Sequence, residues 1–291
     1  MEDFYFNETL YFDYDDYYDF IFYANYIQSI FIIYVVTCII ICIGLPLTLL
    51  AIYALYSLVR KDNVAPIYVI NLLISDLIQL CCMISFVSQH RDQNADPIGS
   101  RIYGCSLMAS VYFMVCIALE RYLVIAWPLW YRFRRTMKIS VVVCVLVWVV
   151  PLFYFFFSLV WRRRAFLTPL YIFFLLSLPL LIFFLGGTLK ALSASVSVPA
   201  DRKRRIVAML VLVLVIYLLL FLPIINTLRK IQTKDTYYTT LDILSNVLVK
   251  LSPLADLVLY VFMRKGAIDK VLASVCCCRM DSNDVSSSAV L

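Results

Sequence analysis

Seven long apolar stretches separated by short polar connectors dominate the chain, at about 27–59, 64–88, 99–126, 138–160, 166–190, 204–227 and 240–263. A helix needs roughly 20 apolar residues to cross the hydrocarbon core of a bilayer, and every stretch qualifies. All are far too long for the strands of a transmembrane barrel. Lipid offers no partner to a backbone N–H or C=O, so each stretch must satisfy its own groups as a helix. The expected fold is an all-α membrane protein, a seven-transmembrane helix bundle with no internal repeats. The bundle forms one domain over 27–263, with an acidic tail over 1–26 before it and a short amphipathic helix and tail over 264–291 after it.

Composition agrees with that pattern. Hydrophobic residues make up 64% of the 291 and charged residues 15%, against about a quarter charged in soluble chains. Residues 1–26 carry Glu2, Asp3, Glu8, Asp13, Asp15, Asp16 and Asp19 and no Lys or Arg. A secretory signal starts with a basic region, so the first apolar stretch is expected to serve as its own insertion signal. Lys and Arg concentrate on the cytoplasmic side of membrane proteins. The segments 60–61, 132–138, 190–205 and 264–279 hold fifteen of them, and the segments alternating with these hold eight. This bias predicts an extracellular N-terminus and a cytoplasmic C-terminus in the plasma membrane. The net charge of +6 reflects the inner face and calls for no nucleic-acid partner.

The motif with the clearest chemistry ends the third stretch. There Ala118-Leu119-Glu120-Arg121-Tyr122-Leu123-Val124-Ile125-Ala126-Trp127-Pro128-Leu129 carries an Arg, between an acid and a tyrosine, into a connector. A charge at the edge of a span is costly and persists where it has a partner or a job. The second stretch contains Asn71-Leu72-Leu73-Ile74-Ser75-Asp76-Leu77, with an acid at mid-membrane depth where it costs roughly 2.5–3.5 kcal/mol. The sixth contains Tyr217-Leu218-Leu219-Leu220-Phe221-Leu222-Pro223, and the seventh Asp256-Leu257-Val258-Leu259-Tyr260. Together these runs resemble the signatures of the rhodopsin-like (class A) G-protein-coupled receptors, and the resemblance covers nearly the whole chain.

That resemblance implies a receptor, not an enzyme, in which an outer ligand shifts a pre-existing inactive–active equilibrium. Arg121 would leave its pairing with Glu120 and meet a heterotrimeric G protein as the sixth helix swings at Pro223. Tyr122, Tyr217, Phe221, Asp256, Tyr260 and the basic 202–205 stretch would complete the coupling machinery, and arrestin would be a further partner. No cofactor is required. The resemblance does imply an allosteric sodium ion held by Asp76, Ser110, Ser252 and Asp256, an all-oxygen set suited to a hard cation. The sequence departs from the pattern at Thr48, where Asn is typical, at Gly187, where a tyrosine usually occurs, at Phe221, and at Leu257, which replaces a proline. Pro253 stands four residues before Leu257 and offers another place for a kink; Pro179 fits the fifth-span proline. No disulfide is expected. The second outer connector, about 161–168, has no cysteine, and Cys105 lies 16 residues before Arg121, too deep for the usual anchor.

Ligand signals are more open. Tyr11-Phe12-Asp13-Tyr14-Asp15-Asp16-Tyr17-Tyr18-Asp19 resembles the sulfated tails of chemokine and peptide receptors, and also reads as a plain acidic tail. Asn7 sits in a glycosylation sequon. Tyr103, Arg162, Arg163, Arg164 and Lys250 are the candidate ligand residues, for a peptide, an anionic lipid or a small molecule. Lys250 lies six residues before Asp256, the spacing of the retinal-linking lysine of opsins, but Gly99 stands where the counterion belongs. The single His90 argues against a histidine-cluster proton sensor. Cys276, Cys277 and Cys278 beside basic residues read as palmitoylation sites that anchor the last helix in the lipid membrane. The alternatives are a non-signalling decoy or scavenger receptor of the same fold, a retinal-binding opsin, and a transporter.

Overall fold

The structure is a computed structural model that describes residues 14–59, 67–88, 97–127, 137–160, 163–194, 200–233 and 240–263, with side chains over most of each helix. Among these residues there are seven helices: α1 (Tyr14–Val59), α2 (Ile67–Ser88), α3 (Pro97–Ala126), α4 (Met137–Val160), α5 (Arg163–Ala194), α6 (Ala200–Thr233) and α7 (Thr240–Met263). The expected seven-helix bundle is present. Six of the helices contain a window long and apolar enough to cross a membrane, and in α6 the apolar part is the shorter Ile206–Leu220.

Two boundaries differ from the apolar pattern. The first helix begins at Tyr14, so the later part of the acidic tail is helical. The connector between α4 and α5 shrinks to 161–162, because α5 starts at Arg163. Arg, Ala and Leu are good helix formers, and they extend α5 beyond its apolar core.

The helices form a closed ring around α3. Consecutive helices pack against each other, α7 returns to α1, and α3 also touches α5 and α6 across the middle. In α3, 72% of the apolar window is buried, against 17% in α1. Lipid is as apolar as leucine, so burial alone does not hold membrane helices together, and close packing must do so. Small buried residues on α3, Ser106, Ala109, Ser110 and Ala118, let its neighbours approach. Leu72, Leu73, Phe113, Met114, Ile117 and Phe174 fill the spaces between them. The outward faces carry exposed Phe31, Leu50, Phe153, Leu176 and Phe183, as expected of helices that meet hydrocarbon.

Polar side chains stitch the helices where lipid cannot solvate them. Trp148 Nε1 on α4 donates to Asn71 Oδ1 on α2 at 3.0 Å. The Asn71 amide in turn donates to the Ile67 carbonyl at 2.9 Å and to Cys144 Sγ at 3.4 Å. The Tyr217 hydroxyl on α6 donates to the Phe174 carbonyl on α5, and Ser177 lies 3.2 Å from the same hydroxyl. On α1, Thr37 bonds back to the Ile33 carbonyl, a local bond that hides a hydroxyl inside a helix.

Candidate functional site

Three polar layers are strung along α3. Tyr103 marks one end, Ser110 the middle and Arg121 the other end. At 1.5 Å per residue, Tyr103 and Arg121 are about 27 Å apart along the axis, close to the thickness of a hydrocarbon core. The end layers therefore sit near opposite membrane surfaces.

The middle layer gathers the residues assigned to the sodium site. Asp76, Ser110 and Asp256 are fully buried, and Ser252 is nearly so. Ser110 Oγ donates to Asp256 Oδ2 at 3.1 Å, and the two carboxyls neighbour each other. Gln79, which sequence reasoning missed, joins them: its Nε2 donates to Asp76 Oδ1 at 3.4 Å, and its Oε1 accepts from Ser252 at 3.1 Å. The available signal was its position three residues after Asp76, on the same helix face. Asp76 Oδ2 and Asp256 Oδ1 remain buried without a hydrogen-bond partner among the described residues. Two adjacent carboxylates in a low-dielectric interior repel unless a proton or a cation lies between them, so the donor set and its two orphan oxygens fit a small hard cation.

At the Arg121 end, Glu120 is buried, and Arg121 Nε is buried with no hydrogen-bond partner among the described residues. Tyr122 lies against Phe183 and Phe184 of α5, with ring centroids 6.1 and 6.0 Å away. Its ring also covers Gly187: a Cβ added there would lie 2.7 Å from Tyr122 Cε2. The missing tyrosine at position 187 thus leaves a slot that the tyrosine at 122 fills from the facing helix. Tyr217, Pro223 and Tyr260 are buried. The Phe221 side chain lies outside the described ones.

At the Tyr103 end, a cavity of about 400 Å3 opens between α2, α3, α6 and α7. Tyr103, Pro223, Asn226, Asp242 and Lys250 are among its lining residues. Lys250 Nζ donates to Thr37 Oγ1 on α1 at 2.8 Å, and the Tyr103 hydroxyl donates to the Val249 carbonyl at 3.2 Å. Asn226 and Asp242 were not anticipated; they lie near helix ends in a stretch that reads as ordinary polar edge. Arg162, Asn7 and Cys276, Cys277 and Cys278 lie outside the described residues. Arg163 and Arg164 open α5, with side chains that are not described.

Residues 47–169 match the family described as 7 transmembrane receptor (rhodopsin family). The chain is 26% identical over 259 residues to mouse G-protein coupled receptor 68, covering 77% of this chain and 71% of that protein. It is 28% identical over 113 residues to a purinoceptor of Xenopus laevis, covering 36% of this chain and 21% of that one. It is 30% identical over 108 residues to the rabbit (Oryctolagus cuniculus) type-1 angiotensin II receptor, covering 34% and 30%. Over these stretches the chain is similar to rhodopsin-like G-protein-coupled receptors. This likeness and the six helices long and apolar enough to cross a membrane are those of a multi-pass membrane protein. Against this family background the departures acquire structural detail. Thr48 is fully buried, and its Oγ1 has no hydrogen-bond partner among the described residues. Leu257 is buried in the α7 interface in place of the family's proline.

Proposed function

We propose that this receptor sits in the plasma membrane with the Tyr103 end outside and the Arg121 end inside, and that a ligand entering the outer cavity activates a heterotrimeric G protein below. The unpaired, buried Arg121 Nε beside the packed Tyr122 carries this reading. A guanidinium with an unused donor in a low-dielectric site attracts backbone carbonyl or carboxylate acceptors from a docking partner. The fifteen-to-eight bias of Lys and Arg supports the orientation. Movement of α6 is supported by Pro223, and the Tyr217 hydroxyl clasp to α5 is the contact such a movement must break. A sodium ion between Asp76 and Asp256, with Ser110, Ser252 and Gln79 around it, would supply positive charge that favours the resting arrangement. Arrestin would use the same inner surface.

Relatives named for purines and for angiotensin II support an extracellular ligand without converging on one. A decoy receptor is the second reading, favoured by the orphan Thr48 hydroxyl and by Leu257 in the relay. The test is nucleotide exchange on a purified G protein. Arg121→Ala is expected to remove basal and ligand-stimulated exchange while surface expression stays near normal. Equal exchange in wild type and mutant would refute the coupling role, and no exchange in either would favour the decoy.

A further inference from the structure

The outer cavity has two chemically opposite ends. Asp242, Ser245, Asn246, Val249 and Lys250 line it from one face of α7, following the i, i+3, i+4, i+7, i+8 stripe of a helix. Asp242 lies in the first turn, at the mouth, and Lys250 about 12 Å deeper by helical rise.

The deep end offers a cation. Lys250 carries three N–H donors, and its described hydrogen bond is to the Thr37 hydroxyl. That hydroxyl gives its own proton to the Ile33 carbonyl, so it stands as an acceptor and Lys250 as the donor. No carboxylate pairs with Lys250 among the described residues, and a cation at membrane depth is stabilised by an anion, not by a hydroxyl alone.

The mouth offers acceptors. Asn226 Nδ2 on α6 donates to Asp242 Oδ1 at 2.8 Å. Reversing that amide would set two acceptor oxygens against each other, so the amide orientation is fixed. Asn226 Oδ1 is then left buried, with no hydrogen-bond partner among the described residues, on a side chain only 9% exposed. A buried carbonyl oxygen of this kind calls for a donor.

We propose that the ligand of this cavity is a short zwitterion, with a carboxylate held by Lys250 and an ammonium held by Asp242 and Asn226 Oδ1. The proposal rests on the reading of this cavity as the outer ligand site. Three extended residues reach roughly 10 Å. The Lys250 side chain leans toward the N-terminus of its helix, which shortens the 12 Å rise toward that reach, so a free tripeptide has the right length. An acid alone would leave the Asn226 carbonyl unsatisfied, and an amine alone would leave Lys250 without an anion.

The test uses the purified full-length receptor and its thermal unfolding midpoint. Individual tripeptides with acidic, basic, aromatic and aliphatic middle residues are compared free, N-acetylated, C-amidated and doubly blocked, at millimolar concentration. At least one free peptide is expected to raise the midpoint, and either block is expected to weaken binding at least tenfold. Lys250→Gln should bind free and amidated forms alike, Lys250→Arg should keep the preference for the free acid, and Asn226→Ala or Asp242→Asn should no longer distinguish acetylated from free amine. Indifference to acetylation makes the ligand an anion only and overturns the proposal. Indifference to amidation makes it an amine only, with the same consequence, and no shift with any free peptide also overturns it. Nucleotide exchange is read separately. Exchange that depends on Arg121 with no peptide shift sinks the ligand class alone; a peptide shift without exchange sinks the signalling reading alone.

Discussion

A Cβ added at Gly187 would press on a ring already bounded by Phe183 and Phe184, whereas one added at Gly186 would meet nothing within 4 Å. Two neighbouring glycines on one helix therefore answer the same substitution with opposite signs. Gly186→Ala removes a flexible residue from a helix interior and should raise stability by up to about 1 kcal/mol. Gly187→Ala should lower it by about 1–3 kcal/mol through overpacking. Thermal unfolding in detergent, with the two single mutants side by side, measures both. Adding Tyr122→Ala to Gly187→Ala should recover part of the loss, as expected for residues in contact. Strict additivity would show that the ring and the glycine are not a pair. The sequence displays the absence of a tyrosine at 187 but not its consequence. The residue that fills the slot stands 65 positions earlier, and only packing α3 on α5 reveals it.

At the level of helices, the bundle relies on polar clasps that each join two elements. The Asn71–Trp148 bond ties α2 to α4, and Asn71 is also held by its own helix and by Cys144. Trp148→Phe keeps most of the ring but leaves the Asn71 carbonyl without that donor, at a cost of about 1–3 kcal/mol. The expected result is a lower unfolding midpoint with ligand response retained; an unchanged midpoint would show that the clasp is replaced by water or a rotamer change. The helices themselves were legible because lipid allows few other backbone solutions and long apolar runs are unambiguous. Asp76 was legible because a carboxylate in a span needs a reason to be there, and Asp256 was joined to it only through the resemblance to the receptor family. Gln79 and Asn226 were not, since a neutral amide within an apolar run attracts no attention until its neighbours are known. The start of α1 at Tyr14 was missed for a related reason: charge in the tail spoke against a span, and it does not speak against a helix.

Across the whole molecule, the buried acids, the Tyr103-end cavity and the Arg121 layer share α3 as a common spine. The middle layer gives a prediction at this scale. Replacing choline chloride by sodium chloride at constant ionic strength should raise the unfolding midpoint of the wild type by mass action on the folded state. Asp76→Asn should flatten that dependence, and an equal sodium response in the mutant would remove the ion from this pair. Closure of the ring has a consequence for how the receptor is made. Thr37 belongs to α1 and Lys250 to α7, and they meet across 213 positions of chain. During synthesis, Lys250 can find its hydroxyl only after the other six helices are in the bilayer. Until then the first helix presents an unmated side to lipid and to the cell's quality-control machinery. The bond between Lys250 and Thr37 is thus a mark of the closed ring, present only in chains whose α7 has joined α1.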